Sequence, residues 1–229
     1  GRGGGPGFVD LCRAVDDAWR HRREELDRQA DELTAAIARA SSLSPDPTPA
    51  PLAAVLDAVN TELHARYDEN WGGFSRAPKF PQPDVISAAL LCSQLGGAEG
   101  APSCSAMAHN TVMAMASGGI YDHLGGGFAR YSTDAFWMVP HFEKMLYDQA
   151  QILAVLAQLD RVVADPALRH VATQTVDFLE RELANGSCFA SALDADSEGE
   201  EGKFYVWSYR ELAELLTDEQ LALAVDWYG

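Results

Sequence analysis

His141, Glu143, Lys144 and Asp148 stand close together in the chain, and Asp122 and His123 lie a short way upstream. These are side-chain types for acid/base work, since a neutral imidazole takes a proton and a carboxyl gives or holds one. A helix over about His141–Leu159 puts His141, Lys144 and Asp148 on one face and Phe142, Met145, Leu146 and Leu153 on another. Pro140 suits the first turn of such a helix, and the positive end of the helix dipole favours a neutral His141. His141 is therefore the expected base or acid, with Glu143 or Asp148 as carboxylate partner and Asp122 and His123 as further catalytic candidates. The plainer reading is a solvated helix face on which Lys144 and Asp148 form an i,i+4 pair.

The surroundings weigh against that plainer reading. Ser117–Gln151 also holds Gly125-Gly126-Gly127 and the aromatics Tyr121, Phe128, Tyr131, Phe136, Trp137, Phe142 and Tyr147. An apolar, aromatic wall with a few placed polar groups is the composition of a pocket. The triple glycine lacks the GK[ST] of a phosphate loop and follows no strand, so it reads as a tight turn or a close backbone approach. Asp194-Ala195-Asp196-Ser197-Glu198-Gly199 resembles the first half of a calcium loop, but Tyr205 stands where the bidentate Glu belongs. No HExxH, paired Cys/His spacing or GxSxG is present. No metal and no cofactor is expected.

The elements that must hold these residues are helical. Leu11, Val15, Trp19, Leu26, Leu33 and Ile37 keep a helical period over about Phe8–Ala40, with Pro6 in the first turn. Ser41–Pro51 is a Pro-rich break. Helices follow at about Leu52–Tyr67, Asp84–Leu95 (capped by Asp84), Ser105–Ala116, His141–Leu159 and Pro166–Leu183 (capped by Asp165). Asp68–Asp84 is a long connection without periodicity, and such loops often carry function. Ser187–Ala190 and Lys203–Trp207 read as one β-hairpin flanking the acidic turn. Ser208 with Glu211 and Thr217 with Gln220 are capping boxes for two short helices. The fold class expected is all-α, with one inserted hairpin.

Composition narrows the partners. Of 229 residues, 34 are acidic and 17 basic, a net charge of -17 that repels phosphate backbones and argues against nucleic acid. No apolar run is long enough for a membrane span. Cys12, Cys92, Cys104 and Cys188 form no CxxC or dense framework, which points to a reducing, cytoplasmic setting. The glycine-rich opening and the last residues read as cut ends.

Three blocks then carry a resemblance: GGFSRAPKFPQP (72–83), GGIYDHLGGGFARYSTDAFWMVPHFEKMLYDQA (118–150) and SALDADSEGEEGKFYVW (191–207). In order and spacing they closely resemble the thioredoxin-domain-containing proteins that include spermatogenesis-associated thioredoxin-like protein. The resemblance implies a thioredoxin-like domain followed by an (α/α)6 toroid similar to N-acylglucosamine 2-epimerases and six-hairpin glycosidases. Residues 1–50 are then a linker and long helix following a thioredoxin-like domain absent from this chain, and 51–229 the N-terminal part of a partial (α/α)6 toroid. Ala129 stands where a histidine is common in relatives, and Gln149 where an asparagine is common. The function expected is sugar binding or transformation by acid/base chemistry, at loops 71–79, 121–140 and 194–201. Trp71, Phe74, Tyr131 and Trp137 would stack on the sugar, with Lys79, Asp194 and Asp196 as further binding residues. The alternative is a non-catalytic ligand- or protein-binding scaffold attached to the redox domain. The partners implied are a sugar ligand, the thioredoxin-like domain and the remainder of the toroid.

Overall fold

The computed structural model describes residues 7–42, 48–95 and 103–228. Pro6, part of the Ser41–Pro51 break and the loop after Leu95 lie outside them. Residues 1–50 and 51–229 form two separate units. In the first, the expected single helix is two, α1 (Phe8–His21) and α2 (Arg23–Ser41). Arg22 breaks the run at φ -135°, ψ 37°. No Gly or Pro marks the break, but the basic triplet at 21–23 divides its carboxylate partners. His21 turns back to Asp17 at 3.0 Å, while Arg23 reaches forward to Asp27 at 3.0 Å and lies 3.4 Å over the Trp19 ring. Ala18 is buried, while Leu11, Val15 and Trp19 are exposed.

The second unit is mostly α. Its helices are α3 (Leu52–Arg66), α4 (Pro83–Leu95), α5 (Cys104–Ser117), α6 (Leu146–Asp160), α7 (Pro166–Phe178), α8 (Tyr209–Leu215) and α9 (Asp218–Tyr228). A π-helical turn, Leu179–Leu183, extends α7. The core forms where α4 meets α5 and α6, and α6 meets α7. Ile86, Leu90, Met107, Val112, Met115, Ile152, Leu156 and Leu159 fill it. Each such side chain contributes about 1.5–3 kcal/mol on burial, more than the ~1 kcal/mol of a typical cap, so packing and not capping sets this arrangement. The caps nonetheless sit where expected at three helix starts. Asp165 accepts the N–H of Ala167, Ser208 pairs reciprocally with Glu211, and Thr217 with Gln220. At α4 the expectation fails: the helix begins at Pro83, so Asp84 lies in its first turn and is not its cap.

Strands are two residues long and come in antiparallel pairs: β1 (Tyr131–Ser132), β2 (Pro140–His141), β3 (Lys144–Met145), β4 (Ala184–Asn185), β5 (Cys188–Phe189), β6 (Ala192–Leu193), β7 (Asp196–Ser197) and β8 (Glu200–Glu201). β1 pairs with β2, β3 with β6, β4 with β5 and β7 with β8. The expected hairpin partnership is therefore replaced. Cys188–Phe189 folds back on Ala184–Asn185 across Gly186, whose φ of 62° suits the tight two-residue turn. The acidic segment makes its own hairpin, with Glu198 and Gly199 both at positive φ, and Lys203–Trp207 forms no strand. A hairpin turn thus occupies the place of the half calcium loop.

The connection 68–82 is a fixed strap. Asp68 accepts the N–H groups of Asn70 and Trp71 and the Lys79 ammonium at 2.6 Å. Lys79 also exchanges backbone hydrogen bonds of 2.7 and 2.9 Å with Ser132 of β1.

The triple glycine makes the close approach expected of it. Gly126 has φ 78°, and a methyl group there would collide with the Gln174 carbonyl of α7; at Gly127, φ 80°, it would sit 2.7 Å from the Phe178 ring. Gly186 shares the left-handed backbone but has open space around it. Gly186→Ala should therefore cost ~1 kcal/mol of backbone strain, while Gly126→Ala adds a clash and should cost roughly 3 kcal/mol or more. Urea unfolding of the two variants separates these terms, and equal losses would refute the tight approach of loop 125–127 to α7.

Candidate functional site

The helix expected to carry His141 starts five residues later, at Leu146. His141 lies in β2 opposite Tyr131, and Lys144 in β3 opposite Leu193. Long-range pairing has overridden the local helical period, so the dipole argument for His141 falls. So does the shared helix face of His141, Lys144 and Asp148.

Extended backbone sends alternate side chains to opposite sides. His141 and Glu143 share one side, and Lys144 takes the other. On the first side the Glu143 carboxylate binds Arg130 at 2.7 Å, and His141 Nε2 lies 3.8 Å from Glu143 Oε2. His141 Nδ1 is 2.6 Å from Glu201 Oε1 in β8. A carboxylate can only accept, so Nδ1 carries the proton and Nε2 is the nitrogen left for exchange. The imidazole stacks on Tyr131 at 4.9 Å, and Tyr131 in turn lies 4.8 Å from Phe80.

Asp148, in the first turn of α6, belongs to this cluster. It is 8% exposed, and its Oδ2 has no hydrogen-bond partner. Burial pushes its carboxyl up to about 6; the nearby Arg130 charge opposes the shift and Glu143 adds to it. The two neighbouring carboxyls thus sit in unlike environments, one paired with a guanidinium and one desolvated.

On the other side of β3, Lys144 is buried. Its ammonium donates to Asp122 Oδ2 and to the Gly126 carbonyl, both at 2.8 Å. Burial works against both charges. For Asp122, the Lys144 charge and the Gly125 and Leu124 N–H groups overcome it and hold the carboxyl below its usual value. Lys144 is held below its usual value by its loss of water, with Asp122 acting in the opposite direction. Asp122 therefore faces Lys144, away from His141. Lys144 also takes Asp122 as its partner, not Asp148 as in the plainer reading of a solvated helix face.

The remaining candidates fall elsewhere. His123 is exposed, 3.1 Å from the Gly118 carbonyl and edge-on to Tyr121. Asp194 accepts the N–H of Asp196 within an exposed turn, and neither side chain reaches the cluster. Phe74 and Trp137 are 2% and 0% exposed, so neither offers a sugar a face to stack on. Lys79 is likewise fully buried, donating to Asp68 and to the Ala135 carbonyl. Trp137 holds φ 67°, with its indole N–H on the Trp71 carbonyl; it is a structural anchor. Trp71 stays 48% exposed beside Phe136 and remains able to stack. Of the expected catalytic set, His141, Glu143 and Asp148 come together with Tyr131. Arg130, Glu201 and Phe80 complete the group and were not singled out from sequence. Among the described residues, no group of three or more His, Cys, Asp or Glu could hold a metal ion.

No protein-family model matches the chain. In sequence it is similar to spermatogenesis-associated protein 20 of Mus musculus, 37% identical over 224 residues, or 93% of this chain and 28% of that protein. The Homo sapiens protein of the same name is 37% identical over 227 residues, covering 94% of this chain and 29% of the relative. The chain thus spans less than a third of the length of these relatives. Among solved structures, a sugar epimerase from a ruminal bacterium is similar at 15% identity and a TM-score of 0.48, over 75% of this chain and 53% of that one. A likeness of that size carries neither fold detail nor reaction. The helices above establish the mostly-α fold by themselves.

The Asp148 environment has a consequence for stability. Its folded-state value lies above the unfolded one, so the folded state binds the extra proton between about pH 4 and 6. That contribution is complete below pH 4 and is lost as pH rises through 6, by about 3 kcal/mol for a shift of this size. Asp148→Asn should therefore raise the urea midpoint at pH 7 and leave it nearly unchanged at pH 4. An equal effect at both pH values would show that Asp148 is not desolvated in the fold.

Proposed function

We propose that residues 51–229 are the first part of an (α/α)6 toroid that binds a sugar and acts on it by acid/base chemistry. In this reading residues 1–50 are the linker and helix joining it to a thioredoxin-like domain. His141 exchanges a proton through Nε2, Asp148 serves as the protonated acid, and Glu143, paired with Arg130, balances the charge that moves between them. Tyr131, Phe80 and the exposed Trp71 supply aromatic faces for the ring. The single observation that carries this is Asp148: a buried carboxyl with an unpartnered oxygen, beside Arg130 and Glu143, where the other buried charges among the described residues, Lys79 and Lys144, are paired. Proton removal and return beside a sugar carbonyl fits a histidine with a carboxylic acid. Hydrolysis needs two carboxyls about 5–9.5 Å apart across the bond, and Glu143 with Asp148 supply the types for that reaction as well.

A non-catalytic scaffold is the second reading, favoured by the dispersal of Asp122, His123 and Asp194 away from His141. Calorimetry of the full-length protein against N-acyl and neutral sugars separates the two. Deuterium uptake from solvent into the bound sugar then reports proton exchange at carbon. His141→Ala and Asp148→Asn should each lower turnover by roughly 100-fold or more. Binding and turnover unchanged in His141→Ala would end the assignment, and binding with no turnover in the parent protein would leave the scaffold.

A further inference from the structure

A cleft of about 470 Å³ lies on the Lys144 side of β3, away from His141 and Glu143. The Lys144–Asp122 pair lies in it, with Arg181 and the rings of Phe204, Tyr205 and Trp207 around it. Two questions define an occupant: what charge the cleft accepts, and what surfaces it leaves open.

Its cations are already matched. Lys144 is held by Asp122 and the Gly126 carbonyl, with its ammonium 4.5 Å from the Phe178 ring centre and 4.9 Å from that of Tyr205. Arg181 donates to Glu182 at 2.8 Å and to the Gly125 carbonyl at 2.5 Å. Two positive side chains face two negative ones, so no surplus charge is left for a phosphate, and the chain's net charge of -17 repels one. The open surfaces are of two kinds. Phe204 is 73% and Trp207 50% exposed, giving flat apolar faces. Between them, the half-exposed Arg181 and Glu182 present donors and acceptors side by side. A purely apolar occupant would strip water from these polar groups and return no hydrogen bond. A ring with apolar faces and hydroxyls that both donate and accept matches both surfaces.

We propose that this cleft is a binding site for an uncharged glycosyl ring, stacked on Phe204 and Trp207 and hydrogen-bonded by Arg181, Glu182 and Asp122. It is separate from the acid/base cluster and needs none of that cluster's chemistry.

Calorimetry and saturation-transfer NMR on the full-length protein test it, with cellobiose, maltose and N,N′-diacetylchitobiose as probes and glucose 6-phosphate as the charged comparison. Trp207→Ala and Phe204→Ala, both at exposed positions, should each weaken neutral-disaccharide binding by roughly tenfold or more. Trp227→Ala, at another exposed tryptophan, should leave it unchanged. Binding lost only in His141→Ala would overturn the cleft and leave the acid/base site standing; binding lost only in Trp207→Ala and Phe204→Ala would do the reverse. The cleft is equally overturned if no neutral disaccharide binds, or if glucose 6-phosphate binds more tightly than all three.

Discussion

An ammonium group taken out of water must find an anion, and Lys144 finds Asp122. Removing one partner of a buried pair costs about 3–5 kcal/mol, whereas exposed pairs such as those along α1 and α2 contribute about 0–1 kcal/mol. That difference makes Lys144–Asp122 a determinant of local structure. With Lys144 turned inward, alternation along the extended backbone turns His141 and Glu143 the other way, toward Arg130 and Asp148. The same pair draws the glycine loop against α7, since Lys144 also holds the Gly126 carbonyl. Lys79–Asp68 acts similarly on the strap before α4, anchoring it to β1. Two buried lysines therefore position the aromatic stretch, and neither is left for a ligand to claim as a free charge.

Much of the helical fold was legible in the sequence, because apolar periodicity and caps are local signals. Asp165, Ser208 with Glu211 and Thr217 with Gln220 mark helix starts by chemistry within a few residues of each end. The start of α6 was not legible in this way. Residues 141–145 keep a helical period, yet Lys144 pairs with Leu193 and His141 with Tyr131, and no local pattern reports a partner that distant. The Arg22 break has no Gly or Pro to announce it. Gly186-Ser187, in contrast, is a two-residue hairpin signal that the sequence does carry, and it forms the β4–β5 turn.

The site divided along the same line. His141, Glu143, Asp148 and Tyr131 were identifiable because their residue types suit the chemistry, but the reason they meet is tertiary. Trp137, Phe74 and Lys79 have the same residue types and lie in the core, and type cannot distinguish a pocket wall from a packed interior. Arg130 was readable as the guanidinium nearest Glu143 within the aromatic stretch. Glu201 was not, since its approach to His141 depends on the β7–β8 hairpin and on Phe142 stacking against Tyr205 at 5.4 Å. Gly202 permits that stacking, because a methyl group there would meet the Phe142 ring at 2.5 Å.

The central claim is that this fold holds a desolvated carboxyl beside Glu143 and Arg130 that keeps its proton in mildly acidic solution. A ¹³C NMR titration of the Asp148 carboxyl in the folded protein measures this directly. The account predicts a midpoint near 6 that falls toward the ordinary aspartate value on unfolding. A midpoint near 4 in the folded state would contradict it.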